Sequence, residues 1–179
     1  ADYTICYYRQ DFGRLNADKD SYGVPRSKSI QTTPAHQLAL AAVYYSPLQY
    51  MYWYDKPSDS QDEPELKFFD DVYTTWDDTK VLQGEVGEFI TIARRKGEEW
   101  FIGSITNNEK RVLSVSLDFL PEGKNYIAEI YTDGDKSVKT RTKVRVSTYR
   151  VSNKTKLNFC LKASGGAAVR LVPDDGNIK

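Results

Sequence analysis

The sequence predicts a mainly β protein in which an antiparallel β-sandwich of seven or eight strands follows a buried helical segment. Apolar and polar residues alternate with a period of two from about residue 88 onwards. Turn residues interrupt this part roughly every 8–12 residues, which is typical of a sandwich. One helical run, at 32–54, precedes it. The 179 residues suffice for one domain together with a piece of another.

The helix is predicted to begin where Thr33 and Pro34 stand side by side. A threonine hydroxyl accepts a hydrogen bond from the first helical turn, and a proline at the first position loses nothing by lacking an N–H. Residues 38–45, LALAAVYY, are apolar around most of the helix, which predicts burial on more than one side. Pro47 is expected to break or kink the helix. We expect its neighbours to lie largely outside this sequence, and the isolated chain to self-associate through this segment if they are missing.

The segments on either side of the helix are polar or aromatic. Residues 1–31 open with a strand-like piece at 3–8 and continue as loop. An aromatic-rich turn is expected at 50–54. The acidic stretch 55–65 carries two prolines and is typical of a linker or surface loop.

Seven strands are predicted in the sandwich, at 88–95, 100–107, 111–117, 125–133, 142–151, 155–163 and 167–173. Period-two alternation places every second side chain on the core face. Two triplets should therefore face the core: Leu113, Val115 and Leu117, and Leu157, Phe159 and Leu161.

A basic run at 139–156 contains no acidic residue. Four of its cations share one parity, which predicts a single solvated strand face with Val144 and Val146 pointing inward: Lys139, Arg141, Lys143 and Arg145. The chain as a whole has 25 basic and 25 acidic side chains, so we expect no nucleic-acid partner. No membrane span is expected, because a bilayer requires about 20 apolar residues.

Candidate catalytic groups are few. His36 is the only histidine, and inside an apolar helix it is predicted to be a hydrogen-bonded packing residue. Glycoside hydrolysis needs two carboxyl groups that face each other across a sugar, whereas neighbouring residues on a strand point to opposite faces. Paired acids that fail to suggest such a site are Asp70 and Asp71, Asp77 and Asp78, Glu85 and Glu88, and Glu98 and Glu99. We therefore assign no catalytic residue and no metal ligand.

The two cysteines, Cys6 and Cys160, lie far apart in the sequence and have no metal-binding spacing. Both are interpreted as free thiols, and a disulfide between them is the alternative.

Five segments carry a family resemblance: ADYTICYY (1–8), TTPAHQLALAAVYYSPLQ (32–49), WDDTKVLQGEVGEFITIARR (76–95), EWFIGSIT (99–106) and AAVRLVP (167–173). Together they resemble the C-terminal part of glycoside hydrolase family 97, the bacterial α-glucosidase and α-galactosidase family. The segment MYWYDKP (51–57) is closer to the α-galactosidase branch.

The resemblance implies a parent enzyme with an N-terminal sandwich, a (β/α)8 catalytic barrel and a C-terminal sandwich linked to oligomerisation. Residues 1–54 would be the end of the barrel, with its last helix, 55–74 a linker and 75–179 the C-terminal sandwich domain. The catalytic carboxylates and the calcium-binding glutamates of the family would lie upstream, so this chain itself is expected to bind no calcium. Asp2 and Tyr3 would lie where a late barrel strand meets the active-site face, as possible substrate contacts.

Two functional hypotheses follow. In the first, the chain is a non-catalytic portion of a periplasmic or secreted α-glycosidase, with α-galactosidase favoured over α-glucosidase. Its partners would be the rest of that enzyme and further copies, and oligosaccharide would be bound through the parent. The chain shows no signal peptide, which is then expected upstream. In the second, it is a free-standing carbohydrate-binding module that uses Trp53, Trp76 or Trp100, although the apolar WFIGSI context of Trp100 predicts a core residue.

Overall fold

The computed structural model describes residues 3–4, 32–50, 63–174 and 176. These residues form ten strands, two α-helices and one 3₁₀ turn. In chain order the elements are β1 (Tyr3–Thr4), α1 (Pro34–Val43), β2 (Gln49–Tyr50), the 3₁₀ turn (Pro64–Leu66), α2 (Lys67–Asp71), β3 (Asp78–Glu85), β4 (Phe89–Lys96), β5 (Glu99–Thr106), β6 (Arg111–Ser116), β7 (Asn125–Asp133), β8 (Val144–Ser152), β9 (Lys156–Leu161) and β10 (Gly166–Pro173).

The sandwich consists of a six-stranded antiparallel sheet and a second layer of two antiparallel strands. The order in the large sheet is β3-β4-β5-β10-β7-β8, and the second layer pairs β6 with β9. The core between the layers contains both predicted triplets, all of them buried. The seven predicted strands are confirmed as β4 to β10.

An eighth strand, β3, was not among the seven predicted. Its sequence DTKVLQGE shows no clean alternation, because the strand lies at the edge of the sheet and its register shifts between Val81 and Gln83. A bulge moves the side chains after it to the opposite face, which removes the period that sequence analysis relies on.

The prediction for the basic run is wrong in two respects. Lys139, Arg141 and Lys143 precede β8 and only Arg145 lies in it, so the four cations do not form one strand face. Val144 is buried, but Val146 is 38% exposed. Strand β8 is the other edge of the sheet and pairs only with β7, and its middle is largely exposed while Val144 and Val151 near its ends are buried.

Helix α1 begins as predicted. The Thr33 hydroxyl accepts a hydrogen bond from the His36 N–H at 3.2 Å, Pro34 is the first helical residue, and the helix ends before Pro47. The strand that follows it is a correction to the predicted turn at 50–54, of which only Tyr50 is described. Gln49–Tyr50 is β2, which pairs in parallel with Tyr3–Thr4. Two parallel neighbours joined through a helix form a βαβ crossover.

The described end of the predicted linker is packed. The 3₁₀ turn and α2 occupy 64–71, and the Phe68 side chain is completely buried there. Its ring makes edge-on contacts with Phe101 and Tyr131, at centroid distances of 5.9 and 5.4 Å. The domain boundaries at 54/55 and 74/75 stay predictions.

Candidate functional site

The most distinctive surface of the six-stranded sheet is the face away from β6 and β9, which carries α1 and α2 and is called the helix face here. Small residues on the two central strands let α1 approach closely. A Cβ at Gly103 would lie 2.5 Å from the Ala39 carbonyl oxygen, and one at Gly166 would lie 2.6 Å from the His36 Cα. Only glycine fits at such distances.

This close approach corrects the expectation that α1 depends on neighbours outside the chain. Every residue from Ala35 to Val43 is buried within this chain. The exposed apolar side chains come just after the helix, at Tyr44, Tyr45 and Leu48. The apolar surface that an outside partner would cover is therefore displaced to the end of α1.

Arg94 of β4 closes the C-terminal end of the helix. Its guanidinium donates from Nε to the Ala42 carbonyl at 2.6 Å, from Nη2 to the Val43 carbonyl at 3.0 Å and from Nη1 to the Thr79 hydroxyl at 2.9 Å. The side chain is 5% exposed and lies against the Tyr45 ring. Burial lowers its pKa from the ordinary arginine value. The last helical carbonyls lack partners within the helix and carry partial negative charge, so a cation placed there satisfies both needs.

His36 holds the other end of α1. Its Nδ1 lies 3.1 Å from the Gly165 carbonyl oxygen, and the side chain is buried. Burial lowers the pKa of the imidazole, so the neutral form is favoured and Nδ1–H donates to that carbonyl. His36 is thus a hydrogen-bonded packing residue, as predicted.

Two acids from different pairs, Asp71 and Glu99, meet Glu129 around Arg170 of β10. Its Nε lies 2.8 Å from Glu99, and its Nη1 lies 2.7 Å from Asp71 and 3.4 Å from Glu129. Lys67 also pairs with Asp71 and Glu129. Cations thus hold these carboxylates in a network on the helix face, rather than leaving two of them to face a sugar.

Three further acids from the pairs considered in the sequence form hydrogen bonds in turns or ion pairs at the surface. Asp77 accepts from the Gly97 N–H at 2.8 Å, and this bond, followed by Lys96, lowers the pKa of its carboxyl group. Glu98 pairs with Lys124 at 2.7 Å, and Glu88 with Arg111 at 2.9 Å. In the part of the chain that the structure describes, no group of three or more histidine, cysteine or acidic side chains is placed to hold a metal ion.

The aromatic and thiol candidates divide between the two faces. Trp100 is 4% exposed and packs on Phe119 inside the sandwich, which confirms the core prediction. Trp76 is partly buried on the helix face, 5.5 Å from the Phe101 ring. Cys160 is a free, exposed thiol. Cys6, Trp53 and Asp2 lie outside the described residues, and Tyr3 lies in β1.

Sequence analysis missed Arg94 and Arg170. A signal for Arg94 exists, since it shares the parity of Ile90 and Ile92 and interrupts an apolar face.

Among the residues described, no helix is long and apolar enough to cross a membrane.

Comparison with known proteins agrees with this architecture. The family model described as glycosyl-hydrolase 97 C-terminal, oligomerisation, matches residues 75–172. A curated relative, the retaining α-galactosidase of Bacteroides thetaiotaomicron, is 34% identical over 158 residues, which is 87% of this chain and 23% of the relative.

Solved structures extend the likeness to the helical segment. A glycoside hydrolase family 97 enzyme from Pseudoalteromonas sp. strain K8, in complex with acarbose, matches 96% of this chain and 26% of its own, with 32% identity and a TM-score of 0.79. A β-arabinopyranosidase shares the fold over 87% of this chain, with 24% identity and a TM-score of 0.65.

The chain spans about a quarter of the length of these relatives. It matches their C-terminal sandwich and the helical segment before it. The chain therefore belongs to glycoside hydrolase family 97, as the C-terminal, non-catalytic part that carries the oligomerisation domain.

Proposed function

We propose that this chain forms the C-terminal portion of an α-glycosidase that hydrolyses terminal α-linked sugars, with α-galactosidase favoured over α-glucosidase. In this proposal it packs on the catalytic barrel and supports homo-oligomerisation. One observation carries the proposal: the βαβ crossover β1-α1-β2 and the antiparallel sandwich share helix α1, which is buried against the sandwich.

The crossover argues for a larger protein. Strands β1 and β2 have two residues each and pair in parallel. Parallel sheets are almost always larger and covered on both sides, and an isolated two-stranded sheet is barely stable. Further parallel strands from the catalytic part would extend this pair, as in a (β/α)8 barrel.

Three features of the proposal concern the rest of the enzyme. Tyr3 of β1 and Asp2, which precedes it in the sequence, would approach the substrate at the active-site face. Calcium would be bound by the upstream part. The enzyme would be exported to the periplasm or secreted, which follows from the family resemblance.

An activity measurement tests the proposal. The purified 179-residue chain and the longer polypeptide that includes the catalytic part are each assayed with an aryl α-galactoside and an aryl α-glucoside. We expect no turnover by the chain alone, since Arg170 and Lys67 hold the carboxylates that come together in it. The longer polypeptide should cleave the α-galactoside faster.

Turnover by the chain alone, lost in Glu99→Gln, would overturn the proposal. The matched control is Glu98→Gln, which changes the neighbouring acid in a surface pair with Lys124. A longer polypeptide that cleaves only the α-glucoside would leave the enzyme class standing and correct the sugar.

A further inference from the structure

A groove with a volume of about 620 Å³ runs beside α1, between that helix and the turn that joins β3 to β4. Most of its lining is apolar: Tyr44, Val81, Val86, Phe89, Ile90 and Ile105. Val86 is completely exposed and Val81 is largely exposed. Phe89 and Ile105 are partly buried and pack against the inner and the helix-face core, respectively, whereas Val81 and Val86 leave the outer side of the groove open to solvent.

The position of the groove follows from the way the helix face is covered. Helix α1 packs mainly on β5 and β10, and the Phe68 ring of α2 packs on Phe101 of β5 and Tyr131 of β7. Strand β3 and the first two residues of β4 lie at the side of the sheet next to α1 and are more exposed than the middle of β4, where Ile92 and Arg94 are buried. A further helix packed beside α1 over this side would lie about 8–10 Å from it, as packed helices generally do.

The turn between β3 and β4 points to the same conclusion. Turn positions favour glycine, asparagine, aspartate, serine and proline, each for its backbone or hydrogen-bonding properties. Gly87 meets that demand with a φ of 80°, whereas Val86 beside it exposes its whole side chain. The geometry of the turn gives no reason for a β-branched apolar residue at position 86. Burial of the Val86 side chain against another segment would give one.

We propose that this groove seats a helix of the catalytic barrel, so that the turn between β3 and β4 is a contact between the sandwich and the catalytic part. The inference rests on the proposed function. In a sheet of right-handed βαβ crossovers, consecutive helices lie side by side on one face. Since α1 belongs to such a crossover, the helix of the neighbouring crossover lies beside α1, and the groove is on one of its two sides.

The length of the relatives favours this occupant over a second copy. This chain corresponds to about a quarter of each, so about three quarters of such an enzyme remains to supply the neighbouring helix. The groove also includes Tyr44, the residue that follows α1 in the segment leading to β2 and the parallel sheet. It is thus continuous with the contact that the proposed function already requires.

Hydrogen exchange tests the inference without any substitution. Amide exchange across residues 84–90 is compared between the 179-residue chain and the longer polypeptide. Burial of one valine side chain is enough to support a change of about tenfold or more in exchange rate. We expect at least that slowing in the longer polypeptide, and equal rates in the two proteins would overturn the inference.

Two matched variants locate the contact. Val86→Asp places a charge in the groove, and Val112→Asp places one on β6 in the other layer, where the valine is 73% exposed. In the chain alone, both variants should melt close to the unsubstituted protein. In the longer polypeptide, only Val86→Asp should lower the melting temperature and restore fast exchange at 84–90.

The remaining outcomes are distinguishable. If both variants behave alike while the longer polypeptide stays active, the groove assignment fails and the proposed function stands. If the reading frame that contains this chain encodes no catalytic part, both fail. If the isolated chain sediments as an oligomer that Val86→Asp makes monomeric, the occupant is a second copy and the assignment to the barrel is overturned.

Discussion

The two faces of the six-stranded sheet are covered in different ways. The inner face packs on β6 and β9 through aliphatic and aromatic side chains that alternate along each strand. The helix face packs on α1 and α2 through glycine, alanine and phenylalanine, and it also buries Arg94. On the inner face, large apolar side chains fill the space between the two layers. On the helix face, small residues allow the helix backbone to approach the sheet closely.

The two faces are therefore expected to have different roles: the inner face in the stability of the sandwich, and the helix face in holding α1 on the sheet. Volume-filling cores tolerate substitution if size is kept, because burial of apolar area supplies most of the energy. A close helix contact tolerates little, because backbone atoms leave no room for an added Cβ. We therefore expect the inner face to dominate the free energy of unfolding, and the helix face to decide whether the crossover stays attached to the sandwich.

The largest effect is expected on the inner face. Trp100→Ala should lower the free energy of unfolding by about 3–5 kcal/mol, as for other large buried aromatics. Thermal or denaturant unfolding measures it. The control is Tyr149→Ala on the exposed edge strand, which should change stability by less than about 0.5 kcal/mol. An unchanged stability of Trp100→Ala together with lost sugar binding would favour the carbohydrate-binding alternative.

An intermediate effect is expected on the helix face. Arg94→Met removes the donors to the Ala42 and Val43 carbonyls and should cost about 1.5–3 kcal/mol, the range for hydrogen bonds to a charged group. Hydrogen exchange should show the loss first in α1. Arg95→Met is the matched control, since the side chain of that neighbour donates to the Gly97 carbonyl and lies against the Trp100 ring, away from α1. Equal losses in the two variants would mean that the cap does not hold the helix.

The smallest effect depends on pH. Because burial lowers the pKa of His36, the unfolded chain takes up a proton on this residue at a pH where the folded chain does not. The free energy of unfolding should therefore fall as the pH drops below about 6.5, until the folded protein is protonated as well. His36→Gln should lose less stability between about pH 7 and about pH 5 than the unsubstituted chain does. Parallel curves would show that His36 does not contribute.

Much of the inner face could be predicted from the sequence. The period of two placed Leu113, Val115 and Leu117 in the core because neighbouring side chains on any strand point to opposite faces. The start of α1 was equally local, since Thr33 caps a helix that Pro34 begins. Strand β3 was not predicted, because a bulge interrupts its alternation of apolar and polar residues. Val146 was wrongly placed in the core, because the alternation does not show which strands lie at an edge of the sheet.

By itself, the sequence determined the seven strands β4 to β10 and the cap of α1, because each depends on residues that are close together along the chain. Only the tertiary structure decided that β2 pairs with β1, that Arg94 closes a helix 51 and 52 residues away, and that acids from α2, β5 and β7 meet at Arg170. Those contacts join segments that a local pattern does not relate. The physical reason is that a buried cation or a close backbone approach is favourable only where the fold has already brought its partners together.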